Sequence, residues 1–85
     1  MEIKVLGGGC SKCQLLEKHV RMALEELGLK EEVILIKDYK DIAAHGVMLT
    51  PAVIVNGEKG VMGRVATVKE ITALLSRHIE KQADN

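Results

Sequence analysis

Apolar and polar residues along the 85-residue chain form seven blocks, of which two long ones have the spacing of a helix and four short ones have the composition of strands. Apolar positions three or four residues apart predict two long helices, whereas short β-branched runs bounded by glycine, proline or asparagine predict strands. A shorter helix fits the polar segment between Asp38 and Gly46. The predicted order is strand 2–6, helix 11–27, strand 33–36, helix 39–45, strand 52–55, strand 58–62 and helix 68–79, with a frayed tail over 80–85.

The ends of these elements carry residues that commonly start or stop them. Asp38 and Thr67 are candidate N-caps, and Gly28 is a candidate C-cap. Asn56-Gly57 favours a type I′ turn, because both central residues of that turn need a positive φ. Strands 52–55 and 58–62 are therefore expected to form an antiparallel hairpin.

The order βαβαββα predicts an α/β fold. A helical crossover joins the first strand to the second, so these two strands should be parallel. With the antiparallel hairpin, the expected architecture is a four-stranded mixed sheet with helices on both faces. Strand 33–36 is a continuous apolar run, which predicts a strand covered on both faces.

Composition favours one soluble domain over residues 1–85 and excludes several classes of partner. Twelve basic and twelve acidic side chains cancel, and Tyr39 is the only aromatic residue, so the chain lacks the basic surface and stacking platform of nucleic-acid binders. No apolar run approaches the roughly 18–20 residues that span a bilayer. The N-terminus also lacks the pattern of a secretory signal. We therefore expect a cytoplasmic protein with no nucleic-acid or membrane partner, and we also expect a monomer.

The two cysteines, Cys10 and Cys13, are separated by two residues at the predicted start of the first long helix. One helical turn apart, both sulfurs lie on one face within reach of a disulfide. Reducing buffers keep most cytosolic thiols unpaired, so a Cys-x-x-Cys pair there is more often catalytic or metal-binding than structural. The spacing indicates a reversible redox pair.

A helix start also lowers the pKa of a thiol, because unpaired N–H groups and the positive end of the helix dipole stabilise a thiolate. Cys10 is therefore the candidate nucleophile, and Cys13 is the candidate resolving thiol. Lys12 either lowers the Cys10 pKa further as a nearby cation or is an ordinary solvated lysine. The glycines at 7–9 should turn the backbone sharply and keep bulky side chains away from the sulfur.

The same two thiolates would suit Cu(I), zinc or a metalloid such as arsenic, so a metal or metalloid binding module is the alternative function. A closed zinc site needs four ligands. His19, His45 and His78 do not cluster with the cysteines in the sequence, and we interpret them as surface residues. The sequence therefore predicts no resident metal.

With Cys10-Ser11-Lys12-Cys13 at the first helix, Thr50-Pro51 before the third strand and Asn56-Gly57 after it, the chain resembles the thioredoxin superfamily over nearly its whole length. It is most similar to the compact, glutaredoxin-sized thioredoxin-like redox-active disulfide proteins. The resemblance implies a thioredoxin-like fold and a thiol–disulfide oxidoreductase that reduces protein disulfides, with no cofactor beyond a redox-active Cys10–Cys13 disulfide. It also implies a thioredoxin-reductase-type electron donor and a role in electron transport and cell redox homeostasis.

By the same resemblance, Thr50-Pro51 stands where the superfamily places a cis-proline beside the cysteines. A cis bond there would present the Thr50 backbone to an extended substrate segment. Gly63 is expected to leave room beside the sulfurs. Thr50, Pro51 and Gly63 are thus the predicted substrate-binding residues.

Four other residues have two open interpretations each. Asp38 either assists proton transfer to Cys13 or serves only as the N-cap of the second helix. Met48, Leu49 and Met62 either form an apolar rim around the sulfurs for partner docking or pack into the core.

Overall fold

The computed structural model describes the backbone of residues 1–83 and the side chains of residues 1–80. Within that part of the chain the elements are β1 Ile3–Leu6, α1 Ser11–Glu26, β2 Val33–Ile36, α2 Tyr39–Ala44, β3 Ala52–Val55, β4 Glu58–Met62 and α3 Val68–Ala83. This is the predicted order, and most element ends lie within one residue of their predicted positions. The exception is α3, which continues to Ala83 through most of the predicted frayed tail. Residues 84–85 of that tail lie outside the described residues.

The four strands form one sheet in the order β2-β1-β3-β4. β1 pairs in parallel with β2, and Ile3 lies opposite Val33. β3 pairs antiparallel with both β1 and β4. The predicted four-stranded mixed sheet is confirmed, and β3, one of its two central strands, has all four side chains buried.

Helices cover both faces of the sheet, as the sequence predicts. α1 and α3 pack together on one face, whereas α2 packs on the other through Ile42. Each fully buried leucine or isoleucine contributes about 1.5–3 kcal/mol to folding. The core on the first face comprises Ile3, Val5, Leu16, Val20, Ala23, Leu24, Val33, Val53, Val55, Val61, Ala66, Ile71, Leu74 and Leu75. The smaller core on the α2 face comprises Leu6, Ile42, Val47, Ala52 and Ile54.

β2 lies at one edge of the sheet, so the prediction that it is covered on both faces is wrong. Ile34 is 41% exposed and Leu35 is 38% exposed, although Val33 is buried. An edge strand has a neighbour on one side only, and the helices here do not reach over its outer residues. A run of apolar residues therefore identified a strand correctly but did not specify its position in the sheet.

The caps and the tight turn form as the sequence predicts. The Asp38 carboxylate accepts a hydrogen bond from the Lys40 backbone N–H at 2.8 Å, at the start of α2. Thr67 and Glu70 form a reciprocal capping box at the start of α3. Asn56 and Gly57 have φ values of 51° and 83°, as a type I′ hairpin requires.

His78 is only 6% exposed, so its interpretation as a surface residue is wrong. It follows Leu74 and Leu75 by four and three positions on α3 and therefore shares their buried side of the helix. Its Nε2 lies 3.5 Å from a carboxylate oxygen of Glu58 on β4. His78 belongs to the packing between α3 and the sheet edge.

No helix in the described range 1–83 combines the length and the apolar character needed to cross a membrane.

Candidate active site

The helix carrying the cysteines begins directly after β1. Gly7 extends the pairing of β1 with β2, because its N–H donates to the Ile36 carbonyl at 2.9 Å. Gly9 then adopts a φ of 89°, a conformation that favours glycine, and turns the chain into α1. Cys10 is the N-cap residue, and its Sγ accepts a hydrogen bond from the Cys13 N–H at 3.3 Å. A sulfur thus occupies the position where helices usually place an oxygen acceptor.

The two sulfurs lie 2.7 Å apart as free thiols, but their environments differ. Cys10 is exposed, whereas Cys13 is only 6% exposed. One sulfur can therefore meet a disulfide on another molecule, and the second lies behind it. Both sit on one turn of one helix, so a bond between them requires no rearrangement of the chain.

The pKa values of the two thiols shift in opposite directions. Hydrogen bonds from the Cys13 thiol and the Cys13 backbone N–H lower the pKa of Cys10. Burial raises the pKa of Cys13, and its hydrogen bond to Cys10 raises it further. The exposed sulfur is therefore the better thiolate, which is the asymmetry that the predicted nucleophile and resolving thiol require.

This asymmetry predicts the order of alkylation. A thiolate reacts with iodoacetamide and a thiol does not, so a lowered pKa keeps Cys10 reactive to lower pH, and a raised pKa delays the reaction of Cys13 to higher pH. We expect Cys10 to be modified first at pH 7. As the pH is lowered, the alkylation rate of Cys13 should fall first and that of Cys10 only at lower pH. Initial rates by peptide mass spectrometry measure this. In 8 M urea both residues should react alike, and equal rates in the folded protein would contradict the assignment.

Gly7 has no side chain, and the space that this leaves is occupied by the buried sulfur of Cys13. A Cβ atom built on Gly7 would overlap Cys13 Sγ and would lie 3.9 Å from the Pro51 Cα. The glycines are predicted to keep side chains away from the nucleophilic sulfur, whereas Gly7 leaves room for the sulfur of Cys13, a contact that the sequence did not identify. Any other residue at position 7 would displace Cys13.

Pro51 lies beside this glycine. Leu6 pairs with Ala52 across β1 and β3, which brings the residues just beyond them, Gly7 and Pro51, together. The Thr50-Pro51 peptide bond is cis, as expected from the resemblance. Pro51 is buried and Thr50 is exposed.

Gly63 is next to Pro51 rather than directly beside the sulfurs. Its N–H donates to the Pro51 carbonyl at 2.9 Å, and its φ is 78°. The space beside it is filled by Leu49, because a Cβ on Gly63 would come within 3.1 Å of the Leu49 Cβ. Its role in substrate binding remains a prediction.

Lys12 is exposed in the first turn of α1, and it affects Cys10 through its main chain. A hydrogen bond from the Lys12 backbone N–H contributes to the lowered Cys10 pKa. This contribution does not need the lysine side chain. Asp38, the other residue considered for proton chemistry, has its carboxylate engaged as the N-cap of α2.

Three exposed apolar side chains belong to the segments that adjoin Pro51, since Met48 and Leu49 precede it in the chain and Met62 pairs with Ala52 across β3 and β4. Met48 is 93% exposed, Leu49 is 62% exposed and Met62 is 43% exposed. Of the two interpretations left open for these residues, the rim agrees with their exposure. Tyr39 is a further exposed apolar residue, and its hydroxyl would lie 3.7 Å from a Cβ built on Gly8. The sequence places Tyr39 and Gly8 thirty-one positions apart and could not reveal this proximity.

A small cavity of about 30 Å³ adjoins Cys13 between α1 and β2, with Glu17, Leu35 and Lys37 among its lining residues. It has room for one or two water molecules. Across the side chains described, no group of three or more histidine, cysteine or acidic residues is placed to hold a metal ion. A metal at this site would therefore have two protein thiolates.

The sequence model of the thioredoxin domain family matches residues 1–76. The chain is 43% identical over 76 residues to a thioredoxin from Methanothermobacter thermautotrophicus, a match that covers 89% of this chain and 99% of that relative. A thioredoxin from Methanocaldococcus jannaschii is 33% identical over 78 residues, which covers 92% of this chain and 90% of the relative. The similarity therefore extends over almost the full length of each curated relative.

Among solved structures, thioredoxin 1 from the thermophilic eubacterium Thermosipho africanus has a similar fold. The TM-score is 0.66, and the superposition covers 98% of this chain and 99% of that chain. The sequence identity is 20%, so this similarity concerns the fold alone.

Proposed function

Because the chain belongs to the thioredoxin family, a family of thiol–disulfide oxidoreductases, we propose that it reduces disulfide bonds in other proteins through Cys10 and Cys13. The observation that carries this proposal is the difference between the two sulfurs. An exposed thiol with a lowered pKa lies 2.7 Å from a buried thiol with a raised pKa. The first sulfur suits attack on another molecule, and the second suits attack on the first.

In the proposed cycle, the Cys10 thiolate attacks one sulfur of the substrate disulfide. A mixed disulfide forms between Cys10 and the attacked sulfur. The substrate S–S bond breaks at the same time, and its other sulfur leaves as a thiolate with the electron pair. Cys13 then loses its proton and attacks Cys10 Sγ, and the second substrate thiolate leaves. The substrate has gained two electrons and two protons as dithiol, and the protein holds a Cys10–Cys13 disulfide.

Substrate binding is assigned to Thr50, Pro51 and Gly63. Thr50 is exposed immediately before Pro51, and Pro51 lies against Gly7, which itself contacts Cys13. An extended substrate segment that passes Thr50 would therefore reach the sulfurs. The rim formed by Met48, Leu49 and Met62 would bury apolar surface of the partner.

The cycle needs a donor that returns two electrons to the Cys10–Cys13 disulfide. We assign this role to a thioredoxin-reductase-type enzyme and place the protein in cytoplasmic electron transport, where it would act as a monomer without a cofactor. Reducing thiol pools in that compartment keep such pairs in the dithiol form.

Metal or metalloid binding is the alternative use of the same two thiolates. The described side chains supply no third ligand near the pair, and closed zinc sites use four. Native mass spectrometry separates the two functions, since a stoichiometric metal that dithiols cannot displace would favour the alternative.

Reduction of insulin tests the proposed function. We expect catalytic amounts of the protein to accelerate the precipitation of insulin chains by dithiothreitol. The lowered pKa of Cys10 gives it more thiolate at neutral pH, so it should attack the insulin disulfides faster than dithiothreitol does. The matched control is the same protein after full alkylation with iodoacetamide. Turbidity that develops no faster than with dithiothreitol alone would reject protein-disulfide reduction.

A further inference from the structure

Tyr39 is the only aromatic residue of the chain, and it lies next to the loop that carries the cysteines. Its side chain is 79% exposed, and its hydroxyl would lie 3.7 Å from a Cβ built on Gly8. Single exposed apolar residues are common on protein surfaces, so exposure alone carries no meaning. The position of Tyr39 is informative, because its neighbour Gly8 is two residues from the exposed Cys10.

The backbone of Tyr39 is held in place by the start of α2. The Asp38 carboxylate accepts from the Lys40 N–H at 2.8 Å, and the Asp38 carbonyl accepts from the Ile42 N–H at 2.9 Å. Ile42 is 4% exposed and packs α2 onto the sheet. The ring therefore projects from an anchored helix end beside the active-site loop.

No side chain of the loop itself separates the ring from the approach to Cys10. Gly8 is exposed, and a Cβ on Gly9 would meet no atom within 4 Å. The Met48–Leu49 rim belongs to the segment before Pro51, on the β3 side of β1, whereas Tyr39 follows β2, on the other side of β1. Exposed apolar side chains therefore lie on both sides of the strand that leads to Cys10.

We propose that Tyr39 contacts the bound substrate and favours disulfides whose reactive cysteine has an apolar neighbour in its own chain. This inference rests on the proposed function and specifies its substrate class. The segment Lys37-Asp38-Tyr39-Lys40-Asp41 has two positive and two negative side chains and therefore no net charge, and Tyr39 is its one apolar side chain. Tyrosine supplies a large, rigid apolar surface at low entropic cost, which suits it to such contacts.

Fluorescence tests this contact directly, since all aromatic emission of the chain comes from Tyr39. The C13S variant is joined through Cys10 to either of two pentapeptides without aromatic residues. One peptide has leucine on both sides of its cysteine, and the other has glycine there. We expect the leucine peptide to lower acrylamide quenching of Tyr39 about twofold, because a side chain packed on one ring face covers about half of the ring. The glycine peptide should leave quenching near that of the free protein.

Kinetics provide the second readout. Each peptide is presented to the reduced protein as a mixed disulfide with thionitrobenzoate, whose release is followed at 412 nm. We expect Y39A to lower the second-order rate constant for the leucine peptide about tenfold, the size of effect expected when a tyrosine contact in an interface is lost. The rate constant for the glycine peptide should stay unchanged. Y39F keeps the ring and should behave like the unsubstituted protein. M22A, at a 41% exposed position near the far end of α1, is the control.

The outcomes separate this inference from the proposed function. If the unsubstituted protein attacks neither peptide, the proposed function fails. If it attacks both peptides at the same rate and the quenching of Tyr39 does not change, disulfide exchange stands and the role of Tyr39 is rejected.

Discussion

Cys10→Ser is expected to lower the reduction of insulin disulfides by at least about 1,000-fold, the scale of loss when a nucleophile is removed. A serine hydroxyl does not ionise near neutral pH and cannot form the mixed disulfide. The remaining Cys13 cannot replace it, because that thiol is 6% exposed and its pKa is raised by burial. In the turbidity assay, this variant should accelerate insulin precipitation no more than the fully alkylated protein does.

Cys13→Ser has a different expected result at the same site. The first exchange proceeds, because Cys10 stays exposed, and the reaction stops at the mixed disulfide. Mass spectrometry without added reductant should show a covalent complex of the protein with its substrate, which dithiothreitol releases. Ser11→Ala, at an exposed position between the cysteines, is the control and should turn over normally. Equal residual activity of the two cysteine variants would overturn their assigned roles.

Gly7→Ala is expected to destabilise the protein by about 2 kcal/mol, the usual cost of forcing an extra methyl group into a packed site. The added Cβ would overlap Cys13 Sγ, so the buried sulfur would have to move, whereas the Pro51 Cα at 3.9 Å is at an ordinary contact distance. Urea unfolding of the reduced protein, followed by circular dichroism, measures the change. The second thiol-exchange step should also slow, because Cys13 would no longer be aligned with Cys10.

Gly8→Ala is the matched control for this prediction. The nearest atom to a Cβ at Gly8 is the Tyr39 hydroxyl at 3.7 Å, an ordinary contact distance. We expect its effect on stability to stay within about 0.5 kcal/mol. In a Gly7→Ala, Cys13→Ala double variant, most of the Gly7 penalty should disappear, because the overlapping sulfur is gone. A Gly7→Ala protein as stable as its parent would show that the site tolerates the extra atom.

Much of the fold followed from local sequence signals. The helical spacing of apolar residues, the caps at Asp38 and Thr67 and the Asn56-Gly57 turn depend on residues that are close in the chain, and all of them formed as predicted. Two of the wrong predictions, the cover over β2 and the exposure of His78, concern position in the assembled sheet. The apolar run of β2 is typical of a strand, but its edge location depends on which strands pair. The burial of His78 depends on how α3 lies against β4.

The candidate site divides in the same way. The sequence predicted the cysteine pair at a helix start and the cis bond before Pro51 because each is a short motif. It could not specify that Gly7 rather than its glycine neighbours accommodates Cys13, or that Tyr39 lies beside Gly8. Those contacts arise only when β1, β3 and α2 come together.

A redox titration shows whether Cys10 and Cys13 form one reversible two-electron couple, as the proposed cycle requires. The protein is equilibrated in dithiol buffers of defined potential, free thiols are alkylated, and the modified species are counted by mass spectrometry. We expect a single transition in which both thiols are lost together, at a potential near the thioredoxin value of about −270 mV. Two cysteines that stay reduced across the whole series, or that are oxidised independently of each other, would contradict it.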